Sequence, residues 1–207
     1  MPDCAAGTTV VLASANKGKL TELQQMLGDS VKVVSAADLG VEMPEETALT
    51  FAGNAELKSR AAYEQTGHIS LADDSGLEVD ALAGKPGVFS ARFAGEDASD
   101  ADNNEKLLRA MIEVPDGLRT ARFRSAISLT LNEGDSLIFE GTVEGTIGQH
   151  EAGTHGFGYD PLFLLPNGRS FAEMSSEEKN PISHRGLAMK KAIPVLLDFI
   201  NRQGNTI

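Results

Sequence analysis

Residues 69–80, ISLADDSGLEVD, are the segment that most restricts how this chain can fold. An apolar run, Ile69 with Leu71 and Ala72, leads directly into two adjacent carboxylates, Asp73 and Asp74. Ser75-Gly76 then predicts a turn, and Leu77 and Val79 restart an extended alternation. Acids at a strand end are poor core material, because an unpaired carboxylate is costly to bury. Two readings follow. One is a solvated turn between two strands. The other is a pair of oxygen ligands for a hard divalent cation, which takes carboxylates and keeps several waters.

The chain has 207 residues, 41% of them hydrophobic and 23% charged, which suits one globular domain, 1–207, with two lobes. No apolar span reaches the ~20 residues of a membrane helix. The opening Met1-Pro2-Asp3-Cys4 lacks the basic start of a secretion signal. Cys4 is the only cysteine, which excludes an internal disulfide and a thiolate metal cluster and points to a reducing cytoplasm. With 30 acids against 18 bases and a net charge of −12, nucleic acid is not the expected partner. A small phosphorylated ligand is compatible, provided a few cations and a metal outweigh the global field locally.

Residues 8–13 (TTVVLA) predict a buried first strand, followed by Ser14-Ala15-Asn16-Lys17-Gly18-Lys19 and a helix carrying Leu20, Leu23 and Leu27. Strand, small polar loop and helix together aim backbone N–H groups and a positive dipole at an anion. The same loop also reads as a surface N-cap with incidental lysines. It is not a Walker A loop, since Leu20 follows Lys19 where that motif needs Ser or Thr. Residues 31–34 predict a second strand and residues 49–64 a helix on which Asn54 and Lys58 share a face. Lys58 either snorkels from the apolar stripe or points toward Asp73 and Asp74. Glu46, in the acidic turn before that helix, is either an oxygen ligand or a partner for the helix dipole.

Beyond the acidic pair, residues 83–88 form a glycine-proline loop that reads as a shaped rim. Residues 100–114 predict a packing helix with Leu107, Leu108, Met111 and Ile112 inward, ended by Pro115-Asp116-Gly117. Residues 119–131 and 136–147 predict an antiparallel hairpin around Asn132-Glu133-Gly134-Asp135, making most of a second lobe at about 119–149. The run GTHGFGYDP at 153–161 is either a turn before a strand at 162–165 or a base pocket. In the pocket reading Phe157 and Tyr159 offer aromatic faces and Asp160 a carboxylate for a ring N–H. Residues 175–186 gather Lys179, His184 and Arg185 in one polar loop. A final helix follows, with Ala188, Ala192, Val195, Leu196 and Phe199 on its buried face.

Six pieces stand in series: Ser14 to Lys19; Thr50-Phe51 with Asn54-Ala55 and Lys58; Ala72-Asp73-Asp74-Ser75-Gly76-Leu77; PGVFSARF at 86–93; Phe157-Gly158-Tyr159-Asp160-Pro161; and Ser183-His184-Arg185-Gly186. Together, over nearly the whole chain, they resemble the Ham1-type inosine triphosphate pyrophosphatases, also called dITP/XTP pyrophosphatases. The resemblance implies an α/β fold, an elongated mixed β-sheet flanked by helices with two lobes around a central cleft. It also implies a homodimer, a divalent metal, normally Mg²⁺, and hydrolysis of ITP, dITP and XTP to the monophosphate and pyrophosphate. By position, Ser14, Ala15, Asn16, Lys17, Gly18 and Lys19 would hold the triphosphate. Glu46 and Asp74 would bind metal, with Asp74 also the general base, Asp73 in support, and Ser75, Lys58 and Lys179 on the substrate. Phe157, Gly158, Tyr159 and Asp160 with His184 and Arg185 would form the base site. There the Asp160 carboxylate would take a purine N1–H opposite donors from His184 and Arg185. Thr154-His155 before Gly156, and Ser59 after Lys58, depart from the family pattern; the first bears on the pocket rim and the second reads as harmless. The competing readings are a Maf-like pyrophosphatase of other base preference and a nucleotide sensor without turnover.

Overall fold

Thr9–Leu12 forms β1, and its two faces enter different apolar clusters. Val10 and Leu12 point to one side, Val11 and Ala13 to the other, as strand alternation requires. A strand buried on both faces wants parallel neighbours reached through helices. The chain supplies them. Helix α1 (Lys17–Leu27) leads to β2 (Lys32–Ser35), and helix α2 (Phe51–Thr66) leads to β3 (Ile69–Val79). Both strands pair in parallel with β1, so that Val11 lies beside Val34 on one edge and Ser70 on the other.

Helix α3 (Asp100–Ala110) precedes β4 (Thr120–Asn132), β5 (Asp135–Ile147) and the short β6 (Phe163–Leu164). The result is a six-stranded sheet in the order β2-β1-β3-β4-β5-β6. The link between β4 and β5 is too short for the crossover a parallel pair needs, so the two run antiparallel. β6 is antiparallel to β5, with Phe163 opposite Ile147. Helices α4 (Ser176–Lys179) and α5 (His184–Gly204) complete the chain. This is the mixed sheet with flanking helices expected from the sequence. The computed structural model describes residues 8–14, 16–132 and 135–204. Expectations placed on residues 1–4, on Ala15 and on Glu133-Gly134 lie outside the described residues.

The chain divides into two compact units, one of residues 1–74, 126–140 and 185–207, the other of residues 75–125 and 141–184. In the first, Val10, Leu12, Leu23, Leu71, Ile127 and Leu129 pack with Ala188, Ala192 and Leu196 of α5. Small residues on the other face, Val11, Ala13, Ala62 and Ala72, form a second, thinner cluster. In the other unit, Leu77, Leu107, Met111, Leu162 and Tyr159 surround three rings, Phe123, Phe163 and Phe171. Phe123 and Phe163 have centroids 4.6 Å apart, and Phe163 and Phe171 5.4 Å, within the range of productive ring contacts.

Two sequence expectations change. Ser75-Gly76 makes no turn, because β3 runs unbroken from Ile69 to Val79 and carries both acids inside it, Asp73 fully buried and Asp74 nearly so. Helix α3 ends at Ala110, and Ile112 faces solvent. The reason is Arg119, whose buried guanidinium draws the carbonyls of Met111 (2.6 Å) and Val114 (3.2 Å) out of helical register. The hairpin of β4 and β5 gives residues 126–140 to the first unit and its remaining residues to the second.

Ser59 is more than harmless. Its hydroxyl, fully buried on α2, lies 2.7 Å from that of Ser128 and accepts from Thr130 at 2.9 Å, tying α2 to β4. Ser59→Ala takes from the Ser128 hydroxyl its contact with Ser59 and leaves Thr130 only its contact with Ser136 at 3.0 Å, so we expect it to lower stability by about 1–2 kcal/mol in urea titration. Adding Thr130→Val should then cost less than it does in the parent, because the pair is coupled.

Candidate functional site

In the first unit the buried acids of β3 are met by cations from three helices. Asn16 caps α1, its Oδ1 accepting from the Lys19 N–H at 3.0 Å, and Ser14 Oγ accepts from the Asn16 N–H at 3.2 Å. This cap sets the first turn so that Lys19 projects onto Asp73 (3.1 Å) and reaches Asp74 (4.0 Å). From the middle of α2, Lys58 Nζ meets Glu46 Oε1 at 2.7 Å, the Asp73 carbonyl at 2.9 Å and Asp74 Oδ1 at 3.2 Å. Asn54, one turn earlier, donates to Asp74 Oδ2 at 3.3 Å while accepting from the Ala48 N–H. Arg185, at the start of α5, forks its Nε and Nη2 onto Asp73 Oδ2 and pairs through Nη1 with Glu22 of α1.

Among the described residues, the ion pairs of this network join four acids, Glu22, Glu46, Asp73 and Asp74, to three bases, Lys19, Lys58 and Arg185. Burial is the largest influence on Asp74 and raises its pKa; Lys58 and Lys19 pull it down, Glu46 and Asp73 push it up, and the balance lies above the ordinary carboxylate value. Burial opposes the Lys58 ammonium, but Asp74 and Glu46 outweigh it and hold that pKa above the ordinary lysine value. At Lys19 burial wins, aided by Lys58 and Arg185 against the pull of Asp73 and Asp74, and the pKa falls. A surplus negative charge among all-oxygen donors fits a hard divalent cation. Among the described residues no three acidic, histidine or cysteine side chains gather to hold a metal by themselves. The donor set therefore fits an ion bound through one or two carboxylates, water and ligand phosphates.

In the second unit Asp160 organises a glycine-rich loop. Its Oδ2 accepts from Lys179 Nζ at 2.7 Å and from the Phe157 N–H at 3.0 Å. Gly156 has φ +75°, and a Cβ there would stand 2.0 Å from that same oxygen, so only glycine lets the carboxylate close over the loop. Lys179, 3% exposed, lies 5.1 Å from the centroid of the half-buried Phe157 ring. His184 stacks on Phe123 at 4.7 Å. Tyr159 belongs to the core: its ring is buried and its hydroxyl donates to the Ser90 carbonyl at 2.8 Å. Burial and then Asp100 raise the tyrosine's pKa.

A model of the Ham1 family matches residues 10–195. The chain belongs to the Ham1 family. Among curated relatives, the dITP/XTP pyrophosphatase of Exiguobacterium sibiricum is 51% identical over 195 residues, covering 92% of this chain and 98% of that protein. That of Escherichia coli K12 is 48% identical over 191 residues, covering 90% and 97%. The solved HAM1 protein from Coxiella burnetii superposes with a TM-score of 0.84 at 44% identity, over 93% of this chain and all of that one.

Of the residues singled out in the sequence, the structure joins Lys19, Lys58, Glu46, Asp73, Asp74 and Arg185 in one network, and Phe157, Asp160 and Lys179 in another. The guanidinium of Arg185 goes to Asp73 and Glu22, and the Asp160 carboxylate to Lys179 and its own loop. Lys17 and Gly18 lie in the first turn of α1 and Ser75 lies in β3. Glu22 and Asn54 are the members that sequence reasoning left out of the site. Glu22 stands one turn after Lys19, and Asn54 one turn before Lys58, so helical spacing was the signal that could have found both.

The raised Asp74 pKa fixes a sign. The folded state binds this proton more tightly than the unfolded chain, so the group contributes a penalty. That penalty grows as pH rises from the ordinary carboxylate value through Asp74's own, and it is fully present above it. Asp74→Asn is therefore expected to melt at the same temperature as the parent or higher at pH 7. Lys58→Met strands buried carboxylates and should instead lose about 3 kcal/mol. Thermal and urea unfolding of the two variants side by side checks both signs.

Proposed function

We propose that this protein hydrolyses non-canonical purine nucleoside triphosphates, ITP, dITP and XTP, to the monophosphate and pyrophosphate, clearing them from the nucleotide pool. The observation that carries this reading is the buried, net-acidic cluster around Asp74 in a Ham1 chain that is 51% identical to a dITP/XTP pyrophosphatase. Ser14, Ala15, Asn16, Lys17, Gly18 and Lys19, together with Ser75, engage the triphosphate. Lys19 and Lys58 neutralise its oxygens, which favours an in-line displacement whose demands are mainly positional and electrostatic. Asp74 takes a proton from the attacking water as its oxygen bonds to the α-phosphorus; the α–β anhydride bond breaks and its electron pair leaves with pyrophosphate. Asp73, gripped by Lys19 and Arg185, keeps β3 and hence Asp74 in place. Glu46 and Asp74 would hold Mg²⁺, which when bound supplies further charge neutralisation on the phosphates.

Phe157 offers the base a stacking face. Lys179, aligned by Asp160, donates to the O6 keto oxygen of hypoxanthine or xanthine, and Gly158 and His184 of the same unit complete the base site. Adenine carries an amino group at that position, which would set donor against donor, and such mismatches discriminate strongly. A homodimer in the cytoplasm completes the reading; it rests on the family resemblance and the single cysteine.

The test is pyrophosphate release from ITP, dITP, XTP, ATP, GTP and dTTP, with and without Mg²⁺. Metal-dependent turnover confined to the first three is expected, falling about 10²–10⁴-fold in Asp74→Asn as a general base is lost. Lys179→Met should narrow the preference for ITP over ATP. Equal turnover of the standard nucleotides would sink the base assignment.

A further inference from the structure

Helix α3 does more than pack. Asp100 and Asn104 stand one turn apart on it and take hold of one residue, Gly158. Asp100 Oδ2 accepts from the Gly158 N–H at 2.7 Å, and Asn104 Nδ2 donates to the Gly158 carbonyl at 3.1 Å. The two peptide groups on either side of Gly158 are thus both fixed, across a residue whose φ of +61° costs any other side chain. The peptide that carries the Gly158 N–H begins at Phe157, so fixing it holds the backbone from which the Phe157 ring projects.

Neither bond is needed to seat the helix. Leu107 and Met111 already anchor α3 in the core, Ser99 and Asp102 close its capping box, and Asn103 ties it to the Ala91 carbonyl and the Ala94 N–H. Asn104 carries a second mark. It is 4% exposed, and its Oδ1 is buried without a hydrogen-bond partner among the described residues. A packing residue would gain by losing that unsatisfied acceptor. The amide persists where its donor is in use.

We propose that Asp100 and Asn104 are positioning residues that clamp Gly158, set the attitude of Phe157 and through it govern which purine base is accepted. The specificity half rests on the base site proposed above; the clamp itself does not. Two experiments separate them. In the first, kcat and KM are measured for ITP, GTP and ATP in Asp100→Ala, Asn104→Leu and the conservative Asp100→Asn. Loss of either bond should raise KM for ITP about tenfold with kcat held within about twofold, and should narrow the preference over GTP and ATP. Asp100→Asn, whose amide oxygen still accepts, should restore most of it. Unchanged KM and preference, or equal losses for all three nucleotides in step with a lower melting temperature, would overturn the specificity claim.

The second experiment needs no substrate. The sequence contains no tryptophan, so Phe157→Trp places a sole indole at the loop. Adding Asp100→Ala to it should make that indole more accessible to acrylamide quenching, with circular dichroism unchanged; identical quenching would overturn the clamp. If the parent enzyme shows no preference for ITP, the base-site reading fails while the quenching result still judges the clamp.

Discussion

The two carboxylates that β3 carries through the interior govern the first unit. An ion taken from water costs several kcal/mol even after relaxation, and only close, well-directed partners repay that. Lys19 comes from α1, Lys58 from α2 and Arg185 from α5, so each helix packed on this unit delivers one cation to the same short stretch of strand. Apolar packing and charge pairing are therefore one problem. A helix that slipped by a turn would lose its place in the core and its ion pair together. The remaining acid surplus is the feature a simply structural network would not keep, since a proton or a cation must answer it.

Much of the architecture could be read from periodicity. Residues 8–13, 119–131 and 136–147 are rich in β-branched and aromatic side chains, and the strands form there within a residue or two. The misread stretch was β3 itself. Asp73, Asp74, Ser75 and Gly76 each argue locally for a turn, and what overrides them is far away in the chain. Lys58 lies 16 residues from Asp74, and Arg185 lies 112 residues from Asp73. No window of sequence contains the partners that make those acids tolerable inside a strand. Of the candidate site residues read from the sequence, Lys58 and Asp74 meet in one network and Asp160, expected to face a purine N1–H, meets Lys179 in another. What stayed obscure was where one residue serves another: Glu22 for Arg185 and Asn54 for Asp74.

The second unit answers a different difficulty. A loop with glycines at 153, 156 and 158 has little intrinsic preference for one conformation, and fixing it costs about 1–2 kcal/mol of backbone entropy per residue. The structure meets that cost with side chains from three places. Asp160 bonds from within the loop, Lys179 from α4, and Tyr159 roots the segment to the Ser90 carbonyl. Glycine at 156 is then a requirement of fit as well as of freedom, since the carboxylate occupies the space a side chain would need. Tyr159 shows how composition misleads: an aromatic beside Phe157 reads as a second stacking face, yet the core claims it.

The chain passes between its two units four times, after Asp74, Ser125, Glu140 and His184, and three strands are divided in the process. Neither unit is a single stretch of polypeptide. A gene fragment cut after Ser125 or Glu140 would encode part of both units and the whole of neither, and no single cut frees either unit alone. A single crossover could therefore not lend one of them by itself to another protein or acquire a replacement for it. A lineage built this way changes what it recognises by substitution inside the existing frame, residue by residue, and both units must be inherited together.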